Sequence, residues 1–360
     1  MRSFLNGSSR MHGYHYKSVF ERFGASVRLD NPFPRGFGWV ERLSFDLLDS
    51  SLSLVRFGGR VFYYLYWTLV FPIVRTFQLV HLAGSDIVII QKALSRRFEH
   101  AFFEKLSIYY IRKSNKKLVY HFDDILMGDK MTTISNYLMT NADLVVTVNP
   151  RLLEYARGKN EKSILIPENI KGDEIAGVET IKTQLDSPIT IGWIGIGGGY
   201  KFEAIEAIRP ALERVTTEFD VRLKIVSNEK LILPGISPLV VKNIRWTQFE
   251  DDTFLCDIGI NPLPRDMTME GKGSYKLLKY MAHGIPSVTS WTADDFNRDG
   301  QTCLNAESEE EWYTCLVKLI MDNRLRMDII REGLREAGKY SNDVLGEKYF
   351  RVLEQLLRTD

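Results

Sequence analysis

Between Glu270 and Ser290 the chain reads EGKGSYKLLKYMAHGIPSVTS, a glycine- and lysine-rich loop, a helix opening near Ser274, a stop at Gly284 and a buried strand through Val288. A lysine near a helix's first turn opposes the macrodipole. Lys272 and Lys276 therefore read as ligands for an anion rather than as stabilisers of the helix. The free backbone N–H groups at a helix start already attract phosphate, and Gly271 and Gly273 let a ligand come close to the main chain. Solvated lysines on an ordinary strand–helix connection are the competing reading.

A second turn of the same kind opens at TIGWIGIGGGYKFEAIEAI. A strand through Ile194 runs into Gly195, Gly197, Gly198 and Gly199, with Tyr200 and Lys201 ahead of a helix, so backbone amides and an ammonium again converge on one point. The dinucleotide fingerprint requires glycine where Tyr200 stands, so this is not a nicotinamide-binding turn. Two glycine–lysine turns at strand ends in one half of the chain point to a phosphorylated ligand. In the other half, KLVYHFDDILMGD ends a buried strand on Asp123 and Asp124. Adjacent carboxylates repel each other and gain nothing from burial, which favours a ligand-facing role over capping of the next helix. Strand alternation puts His121 on the face of Asp123, as a core group or a further candidate. Near the N-terminus, SSRMHGYHYKSVF brings Arg10, His12 and Gly13 ahead of a helix, on the side expected to hold an acceptor.

The elements that must position these groups alternate as in a parallel sheet wound with helices. Strands are expected at Ser26–Leu29, Asp86–Gln91, Lys117–Phe122, Leu144–Val148 and Ser163–Ile166, then at Ile189–Ile194, Arg222–Val226, Ile244–Trp246, Ile258–Asn261 and Ser287–Thr289. Helices are expected at Phe202–Phe219, Ser274–His283, Glu309–Asn323 and Ser341–Leu357. The pattern restarts after Pro167 and gives two doubly wound, Rossmann-like α/β domains, residues 1–170 and 171–340, facing a central cleft where the strands' carboxyl ends meet. The segment 341–360 is expected to pack back on the first domain.

The 360 residues carry a formal charge of +1 and an apolar share of 44%, enough for two cores. Residues 1–120 hold 18 Lys and Arg against 8 Asp and Glu, so the first domain is basic. No acidic residue stands between Asp49 and Asp86, where aromatic residues interleave with Arg56, Arg60 and Arg75. Pro72, Arg75 and Gln78 interrupt that run, which suits a surface lying on an anionic bilayer, or a buried helix pair, better than a spanning helix. Cys256, Cys303 and Cys315 lack metal-type spacing, and the N-terminus has no secretion signal, so the protein is expected in the cytoplasm, peripheral to the inner face of the plasma membrane. Nothing marks a nucleic-acid module.

DIVIIQK at 86–92, VYHFDDIL at 119–126, ADLVVTVNPRLLEYA at 142–156, ILIPENI at 164–170, ITIGWIG at 189–195, DIGINPLPRD at 257–266, GKGSYKLLKYMAHGIPSV at 271–288 and EEEWYTCLVKLIMD at 309–322 follow one another in an order that resembles bacterial glycosyltransferases of the GT-B fold, in particular the retaining, family-four-like enzymes of surface polysaccharide synthesis. The resemblance implies a nucleotide-sugar co-substrate held by the second domain, a glycan or lipid-linked acceptor held by the first, and transfer without a metal ion or other cofactor. It places Ser274, Tyr275 and Lys276 at the diphosphate and Lys279 at the ribose. Two glutamates usual in that family fall on Gly271, with Glu270 beside it, and on Lys279. Asp123 or Asp124 would orient the acceptor or support charge on the sugar ring. A sugar-nucleotide epimerase of the same fold, or a degenerate transferase-like binding partner, are the rival readings.

Overall fold

A computed structural model of the chain describes residues 15–30, 53–82, 84–91, 102–123, 129–177, 181–195, 200–227, 229–245, 255–265 and 271–359. The chain divides into two compact units, residues 1–148, 152–166 and 346–360 in one and residues 149–151 and 167–345 in the other.

Unit one begins with α1 (His15–Arg22), α2 (Ser53–Leu65), a π-helical turn (Tyr66–Val70) and α3 (Phe71–Leu82). It continues through β1 (Ile87–Gln91), α4 (Phe102–Lys113), β2 (Lys117–Phe122), α5 (Asp129–Asn141), β3 (Leu144–Thr147), α6 (Pro150–Arg157) and β4 (Ser163–Leu165). The four strands are all parallel in the order β1-β2-β3-β4. Their sequences, such as LVYHF and LVVT, are continuous rather than alternating because helices cover both faces of a parallel sheet. Leu118, Tyr120, Val145 and Val148 pack with Ile108, Ile111, Leu138 and Leu152 from the helices, each fully buried aliphatic side chain contributing about 1.5–3 kcal/mol.

Unit two contains β5 (Ile189–Ile194), α7 (Tyr200–Ala207), α8 (Arg209–Glu218), β6 (Val221–Ser227), β7 (Val241–Arg245), β8 (Ile258–Asn261), α9 (Tyr275–Ala282), β9 (Ser287–Thr289), β10 (Leu304–Asn305), α10 (Glu309–Met321) and α11 (Asn323–Lys339). Its six parallel strands run in the order β10-β9-β8-β5-β6-β7. The core joins Ile191, Trp193, Leu223, Ile225, Ile258 and Ile260 to Leu212, Val215, Leu316 and Leu319. Helix α10 starts on a capping box in which the Ser308 hydroxyl accepts from the Glu311 N–H and the Glu311 carboxylate accepts from the Ser308 N–H. The last helix, α12 (Asn342–Arg358), belongs to unit one from Gly346 onward. There Tyr349 meets the rings of Tyr16 and Phe20 edge-on at 5.5 Å.

Three expectations change. Ser26–Leu29 forms no strand and lies outside both sheets, half-exposed, with Arg28 paired to Asp30 at 3.1 Å. The helix expected over 202–219 is two helices broken at Ile208, because Pro210 removes an N–H and its ring crowds the preceding turn. The strand expected over 244–246 runs earlier, as β7, where Leu223↔Val241 begins a five-pair register with β6. Strand β10 and helix α11 were not anticipated. Among the described residues no helix is long and apolar enough to cross a membrane.

Candidate functional site

The lysine-bearing helix α9 is fixed from below by its own tyrosine. The buried Tyr280 hydroxyl lies 3.1 Å from the Gly192 carbonyl of β5 and 3.2 Å from the Ile260 carbonyl of β8. Burial holds its proton well above the ordinary phenol range, so it remains a donor. With Leu277, Leu278 and Met281 also buried, the start of α9 is set beside the carboxyl ends of β5 and β8.

Ser274 occupies the position before the first turn, yet its hydroxyl does not cap the helix. The hydroxyl instead accepts from Asn261 Nδ2 at 2.8 Å, and the Ser274 N–H donates to Asp294 Oδ2 at 2.6 Å. The Thr292 hydroxyl donates to the same carboxylate oxygen at 2.9 Å. Asp294 is only 5% exposed, and burial pushes its carboxyl up to about 7 against these hydrogen bonds, with Glu168 and Asp295 adding like charge. Glu168 is itself buried. A Cβ added to Gly273 would sit 3.5 Å from Glu168 Oε1 and 3.7 Å from Asp294 Oδ1, so two acidic groups flank the loop just ahead of the helix.

Lys276 projects from the first turn. Its ammonium lies 4.6 Å from the centre of the Trp193 ring and 3.5 Å from Asn261 Oδ1. Desolvation, and after it the charges of Lys201 and Lys272, lower it to about 7. Lys201 and Lys272, from two strand-end turns, are thus close enough to act on Lys276, whose ammonium is held on an aromatic face where cation–π attraction and a long hydrogen bond are weak substitutes for hydration. Gly195 makes this possible. A Cβ there would lie 2.8 Å from the Trp193 ring and 3.1 Å from Lys276 Cε. Gly271 has φ of +94°, a conformation that suits glycine, and its carbonyl accepts from the buried Asn149 Nδ2 at 2.7 Å.

Lys279, one turn further along α9, is 9% exposed and its ammonium lies 3.5 Å from Glu174 Oε2, on the short 3₁₀ turn Gly172–Glu174. Its charge is thus matched inside the unit, unlike that of Lys276. The structure so gathers Lys201, Lys272, Gly273, Ser274 and Lys276 around one helix start. Gly197, Gly198, Gly199 and Glu270 lie outside the described residues, as does the side chain of Tyr200. Trp193, Asn261, Asp294, Glu168 and Glu174 were not singled out from sequence. For Asp294 a signal existed: it and Asp295 are adjacent carboxylates like Asp123 and Asp124, five residues beyond the end of β9.

In unit one, Asp123 stands just past β2, 7% exposed, with Gln91 Nε2 of the neighbouring β1 at 3.5 Å from Oδ2. His121 is fully buried, with its ring 6.0 Å from that of Tyr349 on α12. That is a packing position, and the shared-face argument made from strand alternation does not bring the imidazole to a surface. Asp124, Arg10, His12 and Gly13 lie outside the described residues.

No protein-family model matches the chain. No curated protein matches it by sequence either. Solved structures do resemble it. HepE of Anabaena in complex with UDP-glucose is similar over 78% of this chain and 82% of its own, with a TM-score of 0.60 and 14% identity. A glycosyltransferase from Rickettsia africae is similar over 80% and 83%, with a TM-score of 0.57 and 14% identity. The MnaA–UDP structure of S. aureus is similar over 100% and 96%, with a TM-score of 0.54 and 9% identity. These likenesses establish the GT-B fold, with two Rossmann-like domains.

Proposed function

We propose that the chain is a glycosyltransferase that takes a sugar from a uridine diphosphate donor held by unit two and passes it to a hydroxyl of a glycan or lipid-linked glycan, with retained configuration, in surface polysaccharide synthesis. One observation carries the reading. Lys276 is a half-buried ammonium with two like charges near it and no carboxylate partner among the described residues, placed at a helix start that the Ser274 side chain does not cap. Such an arrangement is costly in the empty protein and becomes favourable once a diphosphate supplies the missing negative charge. Charge develops on that same group as a glycosidic bond to the donor breaks, so preorganised ammonium and amide groups there lower the barrier. Uridine is supported by the UDP complexes of HepE, MnaA and the pneumococcal O-GlcNAc transferase GtfA.

The other residues take their roles from this. Lys201 and Lys272 neutralise the diphosphate from its flanks, with Gly273, Ser274 and Tyr275 presenting main chain. Lys279, held by Glu174, offers a donor toward the ribose hydroxyls. Asp294, protonated near neutrality, can give a hydrogen bond to a sugar or phosphate oxygen. Asp123 orients the acceptor hydroxyl. Attack on the face the diphosphate leaves, with the departing phosphate taking the acceptor's proton, gives retention. A thermal-shift screen of UDP, GDP and dTDP with their sugars tests the donor, since a ligand bound only by the native state raises apparent stability. A shift with UDP that is lost in Lys276→Ala supports the reading, and none with any nucleotide overturns it. Incubation with donor alone separates transfer from donor isomerisation.

A further inference from the structure

Helices α2 and α3 and the turn between them form one ribbon of 30 residues, about 45 Å long at 1.5 Å per residue. Its exposed large apolar side chains are Leu54, Phe57, Val61, Tyr64, Leu65, Leu69, Val70, Ile73 and Phe77. Phe57 is 66% exposed, Leu69 61% and Phe77 68%. Scattered surface apolar groups need no explanation, but a row of this length does.

The row is kept straight by the π-helical turn. At about 100° per residue an unbroken α-helix would carry Ile73 about 100° and Phe77 about 140° away from the line of Leu54. The turn Tyr66–Val70 takes in one extra residue, which returns Ile73 to that line and Phe77 to within about 40° of it. The opposite face is kept in phase by the same device, since Gly59, Tyr66, Phe71 and Arg75 are all buried. Two hydroxyls beside the row are turned inward. Thr68 Oγ1 donates to the Tyr64 carbonyl at 2.5 Å and Thr76 Oγ1 to the Pro72 carbonyl at 2.9 Å. Both donors are thereby satisfied without water, as an apolar medium requires.

We propose that this face is a membrane-docking surface that lies in the headgroup region of an anionic bilayer. Charge selects that occupant over a protein. Residues 50–85 contain no Asp or Glu, Arg60 is exposed on the ribbon, and the first 120 residues carry 18 basic against 8 acidic side chains. A long amphipathic ribbon with aromatic and aliphatic groups on one side and no carboxylates matches an in-plane helix. The inference does not depend on the donor proposed for unit two.

The test uses the full chain, floated with vesicles of phosphatidylglycerol mixed with phosphatidylcholine and with pure phosphatidylcholine vesicles. Wild type should float with the anionic vesicles, and less so at high salt or with the neutral ones. Phe57→Asp and Phe77→Asp, at opposite ends of the row, should each lower vesicle partition about tenfold or more, with the circular dichroism spectrum unchanged. Wild type that stays with the buffer, or variants that float as it does, would overturn the proposal. So would wild type that self-associates without lipid while the variants are monomeric and bind vesicles equally, because the row would then be covered by a second copy.

Discussion

The start of α9 and the ribbon of α2 and α3 break opposite rules. At α9 a half-buried charge has no counter-charge among the described residues, and on the ribbon apolar surface is exposed without a cover. In ordinary folding both are unfavourable, and each is unfavourable in the direction that one kind of contact would reverse. Among the described residues Lys276 has no anionic partner, whereas the Leu54–Phe77 row has no apolar phase over it. Neighbouring residues show that these are local exceptions. Lys279, three positions after Lys276, has Glu174 within 3.5 Å, and Phe71, on the far side of the ribbon from Phe77, is fully buried with its ring against Phe103 at 5.8 Å.

The two sides of the ribbon give the largest contrast to break. Phe71→Ala should destabilise the protein by about 3–5 kcal/mol, because it empties a packed site, while Phe77→Ser should change stability by less than about 0.5 kcal/mol, as exposed positions do. Urea denaturation measures both, and equal effects would mean that the ribbon's outer row is packed. Next, Lys276→Ala should weaken UDP binding or lower kcat/KM about 10²- to 10³-fold, as removal of one preorganised donor to a charged group does, with apo stability unchanged or raised. A binding isotherm on the folded variant decides this.

The pH dependence sharpens the same point. Lys276 loses its proton near 7 in the empty folded protein, against 10.5 ordinarily. Its unfavourable contribution to apo stability is therefore complete below about 7 and gone above about 10.5. Ligand binding runs the other way, since the diphosphate needs the ammonium. UDP affinity should fall by up to about tenfold per pH unit above about 7, with proton uptake on binding visible in calorimetry across buffers. Lys276→Met should flatten that slope. The smallest effect concerns Asp294, whose folded value near 7 lies above the ordinary 3.8. Its contribution to stability is full below about 4 and is lost as pH rises through about 7. Asp294→Asn, which keeps an acceptor for the Ser274 N–H, should flatten Tm against pH across that window, and an unchanged profile would place the titration elsewhere.

Much of the fold was legible in the residues. Lys117–Phe122, Ile189–Ile194, Ile258–Asn261 and Ser287–Thr289 are strands with the expected bounds, because a strand covered on both faces is an unbroken apolar run whose ends are marked by polar or glycine residues. Strand β10 has only two residues, too few to leave a pattern. The lysines of the candidate site were legible because they defy the helix dipole. Their surroundings were not. Trp193 reads as a strand residue like its neighbours, and only the fold sets Lys276 over its ring. Glu168 follows Pro167, where the pattern restarts, with nothing to mark it, and only the fold brings it beside Gly273, more than 100 positions away in sequence. The partner of Lys279 was not legible either, because Glu174 lies on a three-residue turn with no pattern of its own.

The π-helical turn also sets a rule about chain length. Deleting one residue from Tyr66–Val70 would restore ordinary helical winding and rotate everything beyond it by about 100° relative to everything before. Arg75 and Phe71 would swing out of the interior while the outer row split into two misaligned halves. Substitutions in those five positions are thus far better tolerated than a change in their number.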